Sequence, residues 1–293
     1  MSFLKWPGGK RWFISRHADL LPTTFGRYFE PFLGGASVFF HLKPKQAVLA
    51  DCNSELIAVY AAVAWRRKIL ESLLAEHQRK HGKEHYYHVR DNVPVDSVER
   101  AARTLYLNRT CFNGMYRVNF AGQFNVPKGS KTAVVMDTDD FAACAALLRR
   151  AELRVSDFEE IIDQAEGGDL VFADPPYTVG HNNNGFVRYN ETLFKWSDQE
   201  RLARSLIRAK DRGVKIVATN AAHSAVEALY RNHGFTLTRV ERHSSISGTV
   251  VSRKRFLELV IRANCSKDLS CHLPPPSNRL LKRQATKEAR FMH

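Results

Sequence analysis

The stretch "DLVFADPPY", Asp169 to Tyr177, constrains the fold more than any other part of the chain. Leu170 to Ala173 form a short apolar run of strand length, and it stops abruptly at Asp174, Pro175 and Pro176. Two successive prolines remove two backbone donors and fix φ, so neither a helix nor a paired strand continues through them. A turn held this rigidly at the end of a strand is a platform for presenting groups, here Asp174 and Tyr177.

The same grammar recurs along the sequence. Tyr28 to Glu30 reads as a strand, followed by a glycine turn and a helix beginning near Ser37; Ala47 to Ala50 reads as a second strand, with Asp51 at its end and another helix behind it. From about Glu55 to Leu107 the pattern is mainly helical and strongly charged. Asn108 to Lys131, "NRTCFNGMYRVNFAGQFNVPKGSK", has a different texture, rich in Asn, Gly, aromatics and bases. Strand–helix alternation then resumes through "AELRVSDFEEII", "DLVFADPPY" and "GVKIVATN", and a last strand "FLELVIRA" follows Arg253, Lys254 and Arg255. Alternation of this kind predicts a doubly wound α/β sheet. Residues 1–54 and 132–264 are expected to form that sheet domain, with 55–131 an insertion, and 265–293 reads as a basic, mostly disordered tail.

Charge narrows the partner. Against 30 acidic residues stand 44 Lys and Arg, a net charge of +14, which favours a polyanion, with nucleic acid ahead of an anionic membrane surface. No apolar stretch approaches the ~20 residues that cross a bilayer. "MSFLKWPGGKRWF" lacks the apolar core of a secretion signal, so a cytoplasmic protein with no membrane partner is expected. The five cysteines (Cys52, Cys111, Cys144, Cys265, Cys271) are scattered and never C-x-x-C, which reads as reduced thiols. The twelve histidines read as solvated or packing residues, and no metal is expected.

In open α/β sheets ligands sit at the carboxyl ends of the strands. Three acids fall at such ends: Glu30, Asp51 and Asp174. Gly34 and Gly35 let the backbone turn tightly beside a ligand. Asp51, 17 positions after Gly34, suits a carboxylate accepting ribose hydroxyls. The turn is not G-x-G-x-x-G, which favours a smaller nucleoside than a dinucleotide.

"LKWPGGK", "EPFLGGAS", "ADCNSEL", "LNRTCFNGMYRVN", "GQFNVPKG" and "DPPY" occur in the order found in the Dam-type, D12-class adenine-specific DNA methyltransferases. The sequence resembles that family from Leu4 to about Ile261. The resemblance implies a Rossmann-like sheet with an inserted, mainly helical target-recognition domain. It also implies S-adenosylmethionine as cofactor and methylation of adenine N6 in a specific duplex site, GATC or a longer site containing GAT. Asp174, with the backbone carbonyl of Pro175, would accept the hydrogens of the amine; Pro176 would keep the turn rigid, and Tyr177 would stack on an extruded base. Trp6, Lys10, Glu30, Phe32, Gly34, Gly35, Asp51 and Asp174 match positions lining the cofactor site, Lys10 as a partner for the methionyl carboxylate. Asp157 and Phe158 match the position holding the cofactor's adenine by its amino group and ring face. The family turn often reads F-x-G-x-G, whereas Ala36 stands at its last position; if φ > 0 is required there, Ala36 is strained.

For DNA, the resemblance assigns Lys5, Arg109, Phe112, Asn113, Met115, Arg117, Asn119 and Pro127 to reading or positioning. Arg117 would read a guanine through O6 and N7. Arg242, Ser245, Arg253 and Lys254 would touch the phosphate backbone. A cognate restriction endonuclease is a possible partner, and a monomer or weak dimer on DNA is expected. Two alternatives stay open on the residues: the same chemistry on RNA or a protein amide, and a DNA-binding relative without catalysis.

Overall fold

A computed structural model describes residues 3–119, 121–178, 194–243 and 255–265, with the backbone alone at residues 243, 255 and 256. Among these residues seven strands form one sheet: β1 Tyr28–Glu30, β2 Ala47–Asp51, β3 Ala151–Val155, β4 Leu170–Ala173, β5 Lys215–Ala221, β6 Thr236–His243 and β7 Arg255–Ala263. Their order is β3-β2-β1-β4-β5-β7-β6. The first five are parallel, and β7 lies antiparallel between β5 and β6. The order reverses between β1 and β4, paired through Tyr28–Leu170 and Phe29–Val171, so the carboxyl ends of these two strands flank the crevice where such sheets take ligands.

Among the described residues ten helices pack on the sheet or on one another: α1 Arg11–His17, α2 Ser37–Leu42, α3 Ser54–Trp65, α4 Arg67–Lys80, α5 Lys83–Asp91, α6 Ser97–Thr110, α7 Phe141–Leu148, α8 Phe158–Ile162, α9 Trp196–Asp211 and α10 Ser224–Tyr230. Alternate residues of each strand serve opposite faces. Tyr28, Leu49, Leu170, Phe172, Val217 and Val260 join the core under α1–α7, while Phe29, Val48, Val171, Ala173, Ile216 and Leu259 join the core under α8–α10. Burial on both faces is why β4 is apolar at all four positions.

Between β2 and β3 the chain runs through α3 to α7. Asn53 begins α3 by accepting the N–H groups of Glu55 and Leu56, and Asp96 begins α6 by accepting those of Val98 and Glu99. Leu56, Val59, Tyr60, Ala101 and Leu105 belong to the same core as the sheet. His77 and His85 meet at 3.0 Å, and His77 stacks on Tyr106, so these rings pack α4, α5 and α6 together. Among the described residues no helix is long and apolar enough to cross a membrane.

Candidate active site

The glycine turn after β1 is fastened from three directions. Asp51, ending β2, accepts the Gly34 N–H at 3.1 Å on one oxygen and the Asn53 N–H at 3.0 Å on the other. Tyr60 from α3 donates its hydroxyl to the Gly34 carbonyl at 2.7 Å. Trp6 lies so close that a Cβ on Gly34 would meet its ring at 3.1 Å, and Gly34 itself has φ 44°. Glycine is required there on both counts. Ala36 is left-handed too, at φ 50° and ψ 31°, so the strain foreseen for this position is present. It costs an L-residue about 1–2 kcal/mol.

Glu30 ends β1 and is buried, with the Tyr28 hydroxyl donating to it at 2.9 Å. Burial pushes its carboxyl well above the usual range, and burial raises Asp51 as well, although its backbone partners oppose the shift. Gly35 is buried in the turn, and Phe32 stacks on Phe158 with centroids 5.3 Å apart. Trp6, Glu30, Phe32, Gly34, Gly35 and Asp51 therefore gather around the turn after β1.

Asp157 and Phe158 are both engaged by Arg201. Asp157 caps α8 through the Glu159 N–H and holds the Arg201 guanidinium with both oxygens, at 2.7 and 2.8 Å. Desolvation works to raise its carboxyl, but the bonds from Arg201 and Glu159 outweigh it and leave it below the ordinary value. Phe158 is buried, with Arg201 4.2 Å from its ring centroid. The carboxylate expected to take an amino group already has a charged partner, and the ring is packed into the wall.

Past β4 the chain enters the double-proline turn. Asp174 Oδ1 receives Lys10 Nζ at 2.7 Å and the Thr219 hydroxyl, from β5, at 2.8 Å; Oδ2 takes neither bond. Desolvation pushes the Asp174 carboxyl up, Lys10 opposes it, and the nearby Glu258 adds to the rise. Gln199 of α9 donates to the Pro176 carbonyl at 3.3 Å and accepts from Asn220 at 2.9 Å, tying the turn to its neighbours. Tyr177 donates its hydroxyl to Glu258 at 2.8 Å.

Lys10, expected to meet a cofactor carboxylate, has its buried ammonium on Asp174, on the Gly8 carbonyl at 3.0 Å and 5.2 Å from the Tyr177 ring centroid within the chain. Thr219, Gln199 and Glu258 were missed altogether. Only Glu258 leaves a trace in the sequence, as the single acid inside the apolar run "FLELVI".

The segment 111–129 is built differently. Lys5 is fixed to the end of α6 by Asn108, which accepts its N–H at 3.1 Å and donates to its carbonyl at 2.7 Å. Phe112–Gly114 make a 3₁₀ turn in which Asn113 has φ 56°. A Cβ on Gly114 would meet the Lys5 side chain at 2.6 Å. Phe112 is 52% exposed, and its N–H donates to the carbonyl of the exposed Pro127 at 2.9 Å. Met115, half-buried, returns its N–H to the Phe112 carbonyl. Val118 bridges Phe124, Asn119 closes the turn by accepting the N–H groups of Ala121 and Gln123, and Arg117 donates to the Asn125 side chain at 2.9 Å. The structure thus places Lys5, Phe112, Asn113, Met115, Arg117, Asn119 and Pro127 on or against this segment.

Two residues expected on DNA have partners within the chain. Arg109 is 3% exposed, paired to Asp139 through both nitrogens at 2.6 and 2.7 Å and donating to the Val134 and Phe3 carbonyls. It ties α6 to the connection before α7. Arg242 donates to Glu258 at 2.9 Å and lies over Trp12. Ser245, Arg253 and Lys254 lie outside the described residues.

A sheet of this order, with an Asp-Pro-Pro-Tyr turn at its switch point and a glycine turn beside it, defines a Rossmann-like methyltransferase. The model of the D12 class N6 adenine-specific DNA methyltransferases matches residues 6–246. The chain belongs to that family. It is 34% identical to a type II methyltransferase of Lactococcus lactis subsp. cremoris over 268 residues, covering 88% of this chain and 94% of the relative. It is 35% identical to the DNA N-6-adenine-methyltransferase of Escherichia phage P1, covering 84% of this chain and 33% of that longer protein. With the DNA adenine methylase of Serratia marcescens the identity is 29%, over 88% of this chain and 97% of the relative. The protein is an adenine-specific DNA methyltransferase, and its family implies a methyl donor.

Proposed function

We propose that the donor is S-adenosylmethionine, and that the chain methylates N6 of an adenine turned out of duplex DNA at GATC or a longer site containing GAT. The observation that carries this reading is Asp174: a half-buried carboxylate at the switch point, oriented by Lys10 and Thr219 through one oxygen and followed by a turn tied down at Pro176 and Tyr177. The crevice suits a nucleoside: Gly34 keeps the turn open, and Asp51 Oδ2, bonded to the Gly34 N–H alone, has an acceptor lone pair left for a ribose hydroxyl. Trp6, Glu30, Phe32 and Asp51 would hold the donor, which when bound supplies an electrophilic methyl.

The adenine amine is a poor nucleophile because its lone pair is delocalised into the ring. As nitrogen pyramidalises for attack, its hydrogens become more acidic, and Asp174 Oδ2 with the Pro175 carbonyl would accept them. Fixed acceptors aimed at developing positive charge stabilise the transition state without reorganising, and they orient the nitrogen for in-line attack. Tyr177 offers its ring to the extruded base, which has to leave the stack for its N6 to be reached. Lys5, Phe112, Asn113, Met115, Arg117, Asn119 and Pro127 would meet the duplex, with Arg117 released from Asn125 to a guanine. The segment 55–131 would then serve target recognition. The type II names among the relatives suggest a cognate endonuclease as partner.

The test is expression in a host lacking adenine methylation, followed by sequencing that detects N6-methyladenine. A single modified motif containing GAT is expected. Modification at an unrelated motif would overturn the site. Soluble chain that binds DNA but modifies none would overturn the catalytic reading.

A further inference from the structure

Glu258 is a buried carboxylate for which the reaction as described has no use. It projects from the middle of the antiparallel strand β7, between Ala221 of β5 and Val240 of β6, and is 3% exposed. A carboxylate so placed needs partners, and it has them on two sides. One oxygen takes Arg242 at 2.9 Å; the other takes the Tyr177 hydroxyl at 2.8 Å and lies 3.9 Å from the Lys10 ammonium. Lys10 is shared, since it sits at 2.7 Å on Asp174. Glu258 thus joins the antiparallel edge of the sheet to the turn at its centre.

We infer that Glu258 is a positioning residue for methyl transfer: it fixes the Tyr177 ring by its hydroxyl and sets how Lys10 is divided between itself and Asp174, with Arg242 as its counter-ion. The inference rests on the reading of Asp174 to Tyr177 as the methyl-transfer turn. A tyrosine that only had to offer a ring face would need no hydroxyl, and phenylalanine would do. The hydroxyl bond removes rotation of the ring about the rigid turn, and misplacement of a reacting group by about 1 Å costs on the order of a hundredfold in rate. The charge acts separately. Glu258 adds to the rise of the Asp174 carboxyl and competes for the ammonium that opposes it.

The experiment compares wild type, Glu258→Gln, Tyr177→Phe and the double variant by single-turnover methylation of duplex DNA across pH. Wild-type turnover comes first: a chain that methylates no adenine overturns the underlying reading before any variant is compared. Glu258→Gln should lower the rate about tenfold or more and move the acid limb of the pH profile to lower pH, because Asp174 keeps Lys10 to itself. Tyr177→Phe should lower the rate without moving that limb, and the double variant should be no slower than Glu258→Gln. Additive losses, or a slower Glu258→Gln enzyme with the wild-type pH profile, would reduce Glu258 to a structural ion and overturn the inference.

Discussion

The catalytic turn and the segment 111–129 treat their charges in opposite ways. Around Asp174 the charges are buried or half-buried and answered within the chain, by Lys10, Glu258 and Arg242 in series. Along 111–129 the polar groups are exposed and held by short local bonds, Arg117 to Asn125 and Asn119 to Gln123, the latter at 3.0 Å between side chains. The difference follows from when each region meets its partner. Stabilising a transition state requires dipoles that are already fixed and dry, since reorganisation at the moment of reaction would cost the rate. Reading a base requires donors that can leave a weak partner for a better one, and exposed bonds of this kind are worth little to stability.

The largest effect should come from the dry side. Asp174→Ala should lower methyl transfer on the order of a thousandfold while donor binding, followed by titration of the donor alone, changes little. Near-normal turnover would remove Asp174 from the chemistry. Arg109→Ala should show that this arginine belongs with the buried charges. Leaving Asp139 unpaired should destabilise the fold by roughly 3–5 kcal/mol, read as a lower Tm, and a variant of normal Tm with weakened DNA binding would return Arg109 to the duplex.

Arg117→Ala should do the reverse. Stability should stay within about 0.5 kcal/mol of wild type, while discrimination at one base pair falls by about 1–3 kcal/mol. Methylation rates on substrates varied at each position of the site would measure it, and unchanged preference would sink the assignment.

Glu30 gives a pH test of the buried side. Its folded carboxyl is raised above its ordinary 4.5 by burial, so the folded chain holds that proton more tightly than the unfolded one. Its contribution is therefore most favourable at acid pH and is lost as pH rises from 4.5 through the folded value. Glu30→Gln carries no such loss. It should raise Tm at about pH 7, show no advantage near pH 4, and bind the donor less well, a trade common where function keeps a strained or charged site. A parallel loss of Tm at both pH values would contradict the assigned cost. The smallest change should be Ala36→Gly, a gain of at most about 1 kcal/mol from relieving the left-handed alanine, measured by denaturant unfolding.

What was legible in the sequence had local causes. Proline pairs, glycine turns and acids closing apolar runs announce themselves within a few residues, so the strands at Tyr28, Ala47 and Leu170 and the strand-end acids Glu30, Asp51 and Asp174 could be read directly. The strain at Ala36 could be read the same way. Arg109 could not, because its partner Asp139 is 30 positions away and nothing in "LNRTCF" distinguishes an arginine aimed at phosphate from one sealed under α7. Nor could the ion pairs of Lys10 with Asp174 and of Asp157 with Arg201 be read, since each forms only where distant strands and helices converge.

The sequence by itself determined the alternation of strand and helix, the rigid turn after β4, the basic character of the chain and the family resemblance. All of these follow from residue types at short spacing. Only the tertiary structure decided where the charges point. Whether a buried ion is tolerated, and which way it faces, depends on partners brought within about 3–4 Å by the fold, and the desolvation of the site sets the strength of each pair. Glu258 is the clearest case: an unremarked acid in an apolar strand that the antiparallel edge of the sheet carries to the hydroxyl of Tyr177.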